Sequence, residues 1–323
     1  MRSPAPTTTR PQRVRIGISA CLLGERVRYD GGHKRDGFLV ERFGRYVEWV
    51  PVCPEVESGM PVPRDFLRLV AVGDRVRMVT PATGRDYTAG MQRYARERVR
   101  ALATENLSGY VFKRGSPSCG VERVRVYRDG IPGSSGRGLF ASTFMDANPT
   151  LPVEEEGRLN DPRLCENFVS RVFAYSRWQS LGRLRRGKLA EFHAAHKFVL
   201  MAHSQEGLRR LGTIVGGAQE YPGIRALAET YWTEFSEVMK RTPSRRNHTN
   251  VLQHMAGFVS DKTDPEDRAE LAEAIDRYRL ERIPLIVPLT LLRHWVRRLR
   301  IGYLENQVYL DPHPDELMLL NQL

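Results

Sequence analysis

The sequence predicts an α/β domain with a mostly parallel sheet, followed by an all-α domain. As far as about residue 148, short apolar runs alternate with polar, helix-like stretches, which is typical of a layered α/β structure. Beyond residue 161 strand patterns nearly disappear, and apolar residues recur at helical spacing. The chain has 323 residues, enough for two domains of about 150 residues each. We place the boundary in the acidic, turn-rich segment 151–161, so that the domains span residues 13–160 and 161–323.

Three apolar runs in the first domain predict strands, at residues 14–19, 47–52 and 109–113. Each run is rich in β-branched or aromatic residues, or is bounded by Gly, Pro or Ser. Residues 88–105 lie between the second and third runs. They begin with Thr88, a suitable N-cap, and carry an apolar stripe, which predicts a crossover helix. Parallel strands joined in this way form a Rossmann-like sheet.

The second domain is predicted to be a bundle of helices, because its apolar residues follow the helical repeat with few strand signals between them. The predicted helices are residues 162–178, 184–203, 224–241, 245–259, 264–280 and 289–299.

Two terminal and compositional features bear on where the protein works. Residues 1–12 are basic and rich in Pro and Thr, without the apolar core of a secretory signal, and predict a flexible basic tail. The longest apolar run, residues 283–292, is interrupted by prolines and is shorter than the roughly 18 to 20 residues that a membrane span needs. We therefore expect a cytoplasmic protein with no membrane association and no obligate protein partner.

The charge of the chain favours a polyanionic partner. Fifty Lys and Arg residues against 38 Asp and Glu give a net charge of +12. The excess is locally sharpest in residues 171–210, which hold nine Lys or Arg and only two acidic residues, and in residues 291–300, which hold four Arg and no acid.

Cys21, Cys53 and Cys119 each follow one of the three predicted strands. Loops that leave the carboxyl ends of parallel strands converge on one crevice, so these cysteines are expected to meet there. Their spacings of 32 and 66 residues match no short metal-binding motif, and three converging thiolates suit Zn, Cu(I) or an iron-sulfur cluster, with no clear fourth thiolate in the sequence. Cys165 lies in a helical stretch and is predicted to be a buried structural residue.

The residues beside the cysteines favour a binding site over simple packing. Cys53 stands between Pro51 and Pro54, and Cys119 lies in the segment GSPSCG, residues 115–120. Proline and glycine fix the backbone and allow it to approach a ligand closely, which a space-filling cysteine does not require.

Taken together, these motifs resemble the thiouracil desulfidase family. The matching segments are SACLLG at residues 19–24, RYDGGHK at 28–34, PVCPE at 51–55 and SPSCG at 116–120. The segments FHAAHK and LMAHS, within residues 192–204, look like the YbgA-like helical domain that is fused to this module in bacterial tRNA 4-thiouridine desulfidases.

The resemblance implies a 4Fe-4S cluster held by Cys21, Cys53 and Cys119 alone, with an open iron that binds the substrate's thiocarbonyl sulfur. It implies removal of sulfur from 4-thiouridine in tRNA, giving uridine and sulfide without net redox change. It also places catalytic weight on Glu55 as proton shuttle and on Ser116 as a hydrogen-bond partner that positions the substrate. From the residues alone, Glu55 has simpler interpretations, capping a helix or pairing with Arg64, and Ser116 could simply begin a turn.

The partner that the resemblance implies is tRNA. Basic and imidazole side chains beside the cysteine motifs and in the helical domain are the candidates for contact with RNA. They are Lys34, Lys113, Arg183, Arg185, Arg186, Lys188, His193, His196 and Lys197. His193, His196 and His203 are expected along one side of a single helix, where they could instead bind a metal or pack in the core.

Other functions remain open from the sequence. The same chemistry could act on free thiouracil or a thionucleotide. The chain could be an RNA-binding iron-sulfur sensor without turnover, or a zinc hydrolase with three Cys ligands and a water.

Overall fold

The structure is a computed structural model that describes residues 14–323, so the predicted tail of residues 1–12 lies outside the described part. It confirms the predicted fold class, a parallel-sheet α/β half followed by a helical half. In the described residues the strands are β1 (Val14–Ser19), β2 (Val47–Val52), β3 (Arg68–Val72), β4 (Arg75–Val79), β5 (Gly109–Phe112), β6 (Val124–Arg128), β7 (Ile131–Gly136) and β8 (Val153–Glu155).

Within residues 14–323 the α-helices are α1 (Pro54–Glu57), α2 (Thr88–Leu102), α3 (Leu139–Ala147), α4 (Pro162–Gln179), α5 (Arg186–Ala195), α6 (Lys197–His203), α7 (Gln205–Gly216), α8 (Ile224–Lys240), α9 (Arg245–Ser260), α10 (Pro265–Arg279), α11 (Ile286–Arg298) and α12 (Gly302–Glu305). Six of the seven predicted helices are present within a few residues of their predicted bounds, the seventh is divided in two, and four further helices, α1, α3, α7 and α12, were not predicted.

The first sheet has four strands in the order β2-β1-β5-β8, with every neighbouring pair parallel. Strand β8 comes from the segment that the sequence marks as a boundary. A second four-stranded sheet, in the order β4-β3-β6-β7, was not predicted. Its central pair is parallel and its two outer pairs are antiparallel.

Helices cover the parallel sheet on both faces. Tyr110 and Phe112 of β5 pack on the side of α2 and α3, whereas Val111 packs on the other side, against α4. This contact is close, because a Cβ atom at Gly109 would lie 2.8 Å from Cγ2 of Val172 in α4. Helix α4, which the sequence assigns to the helical domain, is therefore also a layer of the α/β half.

Helix α4 begins sharply because its first turn is well capped. The side chain of Asp161 accepts hydrogen bonds from the backbone N–H groups of Arg163 and Leu164, and Pro162 occupies the first helical turn, where no intrahelical donor is needed.

The single helix predicted for residues 184–203 is wrong. The chain forms α5 and α6 with a break at His196, whose Nδ1 lies 2.8 Å from the carbonyl oxygen of Phe192. As a result, His193, His196 and His203 do not lie along one side of one helix. Helix α7 was missed, and it begins where the Ser204 hydroxyl accepts a hydrogen bond from the N–H of Gly207.

In the described part of the chain, none of the helices has both the length and the apolar character that crossing a bilayer requires.

Candidate active site

The register of the parallel sheet brings two of the predicted cysteines to one edge. Ser19, at the end of β1, lies opposite Val52, at the end of β2. Cys21 follows in a 3-10 turn, and Cys53 is the N-cap residue of α1. Both thiols therefore leave the carboxyl edge of the sheet side by side, as the topology predicts.

The third cysteine reaches the same edge through the loop that follows β5. The N–H of Lys113 donates a 2.9 Å hydrogen bond to Oγ of Ser19, which joins the ends of β5 and β1. Further along, Oγ of Ser116 accepts from the N–H groups of Ser118 (3.2 Å) and Cys119 (3.1 Å), so Ser116 does form a turn, as its simpler interpretation requires.

Behind this loop the backbone approaches so closely that only glycine fits. A Cβ atom at Gly138 would lie 2.4 Å from the carbonyl carbon and oxygen of Ser118. The start of α3 thus supports the peptide that carries Cys119.

Cys21, Cys53 and Cys119 border one cavity of about 440 Å³ at the carboxyl edge of the sheet. Cys21 and Cys119 are buried and Cys53 is half-buried. Burial, with Cys53 close by, raises the pKa of Cys21 to about 11, and burial also raises the pKa of Cys53 and that of Cys119. Without a cation, these groups are protonated at neutral pH, and binding one releases protons.

The chemistry of the three thiols fits an iron-sulfur cluster, which proteins hold through cysteine thiolates. Among residues 14–323, no group of three His, Cys, Asp or Glu side chains lies close enough to hold one metal ion. Three cysteines around the wall of a shared cavity, without a clear fourth thiolate, suit a thiolate-bound group such as an iron-sulfur cluster. Cys165 lies away from the cavity, in the apolar core between β1 and α4, as predicted.

Glu55 faces this cavity from the first turn of α1, and its two oxygens have different partners. Oε1 accepts a 2.7 Å hydrogen bond from Oγ of Ser118 and a longer one, 3.5 Å, from Oγ of Ser116. Oε2 is bound by the guanidinium of Arg64, and this ion pair is largely shielded from solvent. Arg64 also donates to the carbonyl oxygens of Val27 (3.1 Å) and Pro61 (3.2 Å), which fixes its own position.

Two of these residues were not predicted to be functional. Ser118 makes the shorter bond to Glu55, although the resemblance points to Ser116. Arg64 was considered only as a competing partner of Glu55. The Ser-Pro-Ser-Cys motif contains both serines, so the sequence indicates that either could be functional. Only the distances in the structure show that Ser118 is closer to Glu55 than Ser116 is.

Cations line the mouth of the cavity. Lys34 is exposed there, and its backbone N–H donates to the carbonyl oxygen of Cys21 (2.9 Å). Lys113 also lines the cavity, but its ammonium group pairs with Glu156, which leaves it less available to a ligand than the sequence suggests. Arg28 and Arg114 complete the basic rim.

The basic candidates of the helical half lie at its surface. Arg183, Arg185, Arg186, Lys188 and Lys197 are exposed, and none forms an ion pair within residues 14–323. None of these five residues lines the cavity that Cys21, Cys53 and Cys119 border, so the structure does not bring them into the cysteine site.

The two histidines among the candidate RNA contacts, His193 and His196, are less exposed than these cations. His196 is 1% exposed and stacks on Phe192, with ring centroids 3.9 Å apart, and burial lowers its pKa to about 3. It is a core residue and cannot contact RNA in this fold. His193 is half-buried, with Nδ1 3.2 Å from the hydroxyl of Tyr231.

Known proteins match both halves of the chain. The profile of the 2-thiouracil desulfurase family matches residues 16–156, and that of DUF1722, a protein family of unknown function, matches residues 197–314. The chain is 31% identical to the [4Fe-4S]-dependent thiouracil desulfidase TudS, whose structure is solved, over 46% of this chain and 95% of that one, with a TM-score of 0.38. Through residues 16–156 the chain belongs to the 2-thiouracil desulfurase family.

Two curated bacterial proteins are also similar. Uncharacterized protein YbgA of Escherichia coli K12 is 30% identical over 158 residues, which are 48% of this chain and 94% of YbgA. Uncharacterized protein YbbK of Bacillus subtilis 168 is 28% identical over 156 residues, 45% of this chain and 98% of YbbK. The predicted membership in a thiouracil desulfurase-type family, joined to a YbgA-like DUF1722 domain, is thereby confirmed, and all three cysteines of the desulfurase half lie within the matched range.

Proposed function

We propose that this chain is a 4Fe-4S-dependent desulfidase that converts 4-thiouridine in tRNA to uridine and sulfide. The observation that carries the proposal is the cavity itself, where three cysteine thiols and a hydrogen-bonded carboxylate meet. TudS, 31% identical to this chain, is described as [4Fe-4S]-dependent and as a thiouracil desulfidase, which supports both the cofactor and the reaction.

Cys21, Cys53 and Cys119 are the residues that would hold the cluster. When bound through only three thiolates, a 4Fe-4S cluster supplies an iron open to a soft thiocarbonyl sulfur, a Lewis acid toward the carbon of the C–S bond.

Glu55 is placed to handle protons in the hydrolysis. The overall change replaces C=S by C=O with one water consumed and hydrogen sulfide released, so both protons of the attacking water must leave its oxygen and reach the departing sulfur. Oε1 of Glu55 can accept the first and return it, because it faces the cavity and is tied only by hydroxyl donors. Arg64, on Oε2, holds the carboxylate in one orientation.

Ser118 and Ser116 provide the polar contacts beside Glu55. The hydroxyl of Ser118 orients Oε1, and it can turn toward a substrate oxygen or nitrogen when the base enters. Ser116 shapes the loop that carries Cys119 through its two backbone bonds. A role for Ser116 in positioning the substrate is compatible with these bonds, because the backbone bonds use only its oxygen, and its hydroxyl proton can turn from Oγ of Ser118 (2.9 Å) or Oε1 of Glu55 (3.5 Å) toward a substrate.

The basic character of the chain supports tRNA as the substrate carrier. A net charge of +12 and the exposed cations Arg183, Arg185, Arg186 and Lys188 suit phosphate contacts. Since the reacting base must reach a cavity inside the protein, we expect it to leave its stacked position in the RNA, as in other enzymes that modify bases.

The volume of the cavity supports a second candidate, free 4-thiouracil or a thionucleotide. About 440 Å³ is within the range of small-ligand pockets, and entry of a free base needs no RNA surface.

Turnover of the two substrates by the same preparation tests the proposal. The full chain is purified and reconstituted without oxygen, its iron and acid-labile sulfide are counted, and it is incubated with 4-thiouridine-containing tRNA or with free 4-thiouracil. We expect the thiobase absorbance to disappear with stoichiometric sulfide release, and kcat/KM to be higher for tRNA. Equal or higher kcat/KM for the free base would transfer the function to the second candidate, and no sulfide from either substrate would overturn the desulfidase proposal.

A further inference from the structure

The second sheet carries a basic and aromatic face that the cysteine site does not use. Its inner face is apolar, because Leu69, Met78 and Val126 are almost fully buried against α2 and α3. Since side chains alternate along a strand, the neighbours of these residues point outward. The outward residues are Arg68, Val70, Val72, Arg75, Arg77, Val79, Arg125 and Tyr127.

Most of these arginines lack an acidic partner. Arg77 lies 3.6 Å from Asp86, but Arg68, Arg75, Arg123 and Arg125 form no ion pair within residues 14–323. The parallel pairing of β3 with β6 puts the starts of both strands at the same end, where Arg68 and Arg125 lie. The acidic turn residues Asp74 and Asp129 follow the opposite ends of these strands. Arg68 and Arg125 therefore lie together at the end of the sheet away from Asp74 and Asp129, whereas Arg75 lies at the same end as these two aspartates.

The end of the sheet with Arg68 and Arg125 also carries an aromatic stack. The guanidinium of Arg68 lies 5.2 Å from the ring centroid of Phe66 and 4.5 Å from that of Tyr127. Phe66 is 45% exposed, which is unusual for so large an apolar side chain. Flat rings held beside unpaired arginines are the surface to which single-stranded nucleic acid binds by stacking its bases and pairing its phosphates.

The end of the sheet with Arg68 and Arg125 opens directly onto the cysteine site. A groove of about 350 Å³ runs over Arg68, Arg123, Arg125 and Tyr127. Its remaining rim includes Phe66, Leu67, Gly115 and Pro117, all of which also line the cavity that holds Cys21, Cys53 and Cys119. A chain that lies in the groove can thus place its next unit in the cavity.

We propose that this groove binds the single-stranded RNA segment next to the reacting base, with Phe66 stacking on the neighbouring base and Arg68, Arg123 and Arg125 contacting its phosphates. This inference rests on the proposed function, because it names the surface through which the desulfidase site selects a nucleotide in RNA over a free base. An acidic peptide could form ion pairs with the arginines, but it has no base to stack on the exposed ring of Phe66. RNA can interact with both, through its phosphates and its bases.

Binding and turnover of three variants test this assignment. The variants Phe66→Ala, Arg68→Gln and Arg125→Gln are compared with Arg268→Gln, an exposed arginine on the acidic helix α10. The probe is a short fluorescein-labelled oligouridylate with one internal 4-thiouridine, and its affinity is measured across a range of salt concentrations. Poly-glutamate serves as a competing polyanion without bases.

We expect Phe66→Ala to weaken RNA binding about fivefold or more, as loss of one stacked base does. Each Arg→Gln variant should flatten the slope of log affinity against log salt by about 0.7, the value for one phosphate contact on a single strand. In all three, kcat/KM for the thiolated RNA relative to free 4-thiouracil should fall at least about fivefold, with iron content as in the wild type. Arg268→Gln should bind RNA as the wild type does.

Several results would overturn the groove assignment. RNA affinity equal to that of the wild type in all three variants would do so, as would an equal loss of turnover on RNA and free base. Displacement of the RNA by poly-glutamate at equal charge concentration would favour a protein partner instead. The proposed function fails separately, if the wild-type protein releases sulfide from neither substrate, since RNA binding by the groove is measured without turnover.

Discussion

Oγ of Ser118 lies 2.7 Å from Oε1 of Glu55, on a loop and a helix that belong to different strand ends of the parallel sheet. Because Arg64 holds the other carboxylate oxygen, the carboxylate is fixed at both atoms before any substrate enters. Preorganised groups of this kind need little rearrangement in the reaction, and this is the physical reason for assigning proton transfer to Glu55 rather than to one of the exposed carboxylates.

The two serines of this network should have separable effects. Ser118→Ala removes the shorter bond to Glu55 but no backbone bond, so we expect a fall in kcat with normal iron content. Ser116→Ala removes the acceptor of the N–H groups of Ser118 and Cys119, so iron content should fall as well. Single-turnover sulfide release and iron analysis of both proteins check this, and equal iron loss in both variants would contradict it.

Replacement of the carboxylate itself gives the largest expected effect. Glu55→Gln keeps the size of the side chain but cannot accept and return a proton, and loss of a general acid–base group typically costs about 10²- to 10⁴-fold in rate. The absorbance of 4-thiouridine in tRNA follows the reaction. A rate within about threefold of the wild type would mean that Glu55 only pairs with Arg64 and accepts from the two serines, because such a change is far below the usual acid–base contribution.

Cysteine substitutions distinguish the cavity thiols from a structural one. Cys53→Ala should abolish both iron retention and desulfidation, because it removes one of three proposed ligands. Cys165→Ala is the matched control, since Cys165 is buried in the core between β1 and α4. It should keep its iron and activity and lose only about 1 kcal/mol of stability, as a small deletion in a core does. Iron retention by Cys53→Ala would contradict the ligand assignment.

Much of the cysteine site could be predicted from the sequence because it depends on strand ends. The β-branched runs of residues 14–19, 47–52 and 109–113 define the parallel strands, and the topology then brings the following cysteines together. The sequence could not predict contacts that depend on loop geometry, such as the shorter distance from Glu55 to Ser118 than to Ser116.

The second sheet and the break at His196 were missed for different reasons. Strand β4 reads RVRMV and β6 reads VRVYR, so the period-two alternation was present, but the arginines weakened its resemblance to a strand. The break between α5 and α6 contains no Gly or Pro. It depends on the contact of the His196 ring with Phe192 in the tertiary fold, which no local pattern encodes.

The basic run of the helical half, residues 183–188, provides a test of its proposed role in holding tRNA. Changing Arg183, Arg185, Arg186 and Lys188 to Gln should weaken tRNA binding and reduce the salt slope by up to about 3.6, if each side chain contacts one phosphate of duplex RNA as on duplex DNA. Iron content should be unchanged, because none of the four lines the cysteine cavity. Arg268→Gln with Arg277→Gln, on the acidic helix α10, is the control. Loss of iron in the quadruple variant would show that the run is structural.

Acid should destabilise the helical half through its buried histidines. Burial lowers the pKa of His203 and of His248 to about 4, even though Glu166 lies near both. Both are neutral in the folded protein, with Nδ1 of His248 2.8 Å from the Tyr309 hydroxyl and Nδ1 of His203 next to the carbonyl oxygen of Arg241. The unfolded chain takes up protons at an ordinary pKa of about 6.5, so stability falls as the pH drops from about 6.5 toward 4.

At about pH 5 each of these histidines should cost about 2 kcal/mol of unfolding free energy relative to neutral pH. Urea unfolding followed by tryptophan fluorescence measures this, because Trp178, Trp232 and Trp295 all lie in the helical half. His203→Gln keeps a donor for the Arg241 carbonyl but does not titrate, so its loss of stability on acidification should be smaller by that amount. His254→Gln, at an exposed position, is the control and should lose as much stability on acidification as the wild type. If the unfolding free energies of the wild type, His203→Gln and His254→Gln depend on pH in the same way, His203 is not among the groups that take up protons on unfolding.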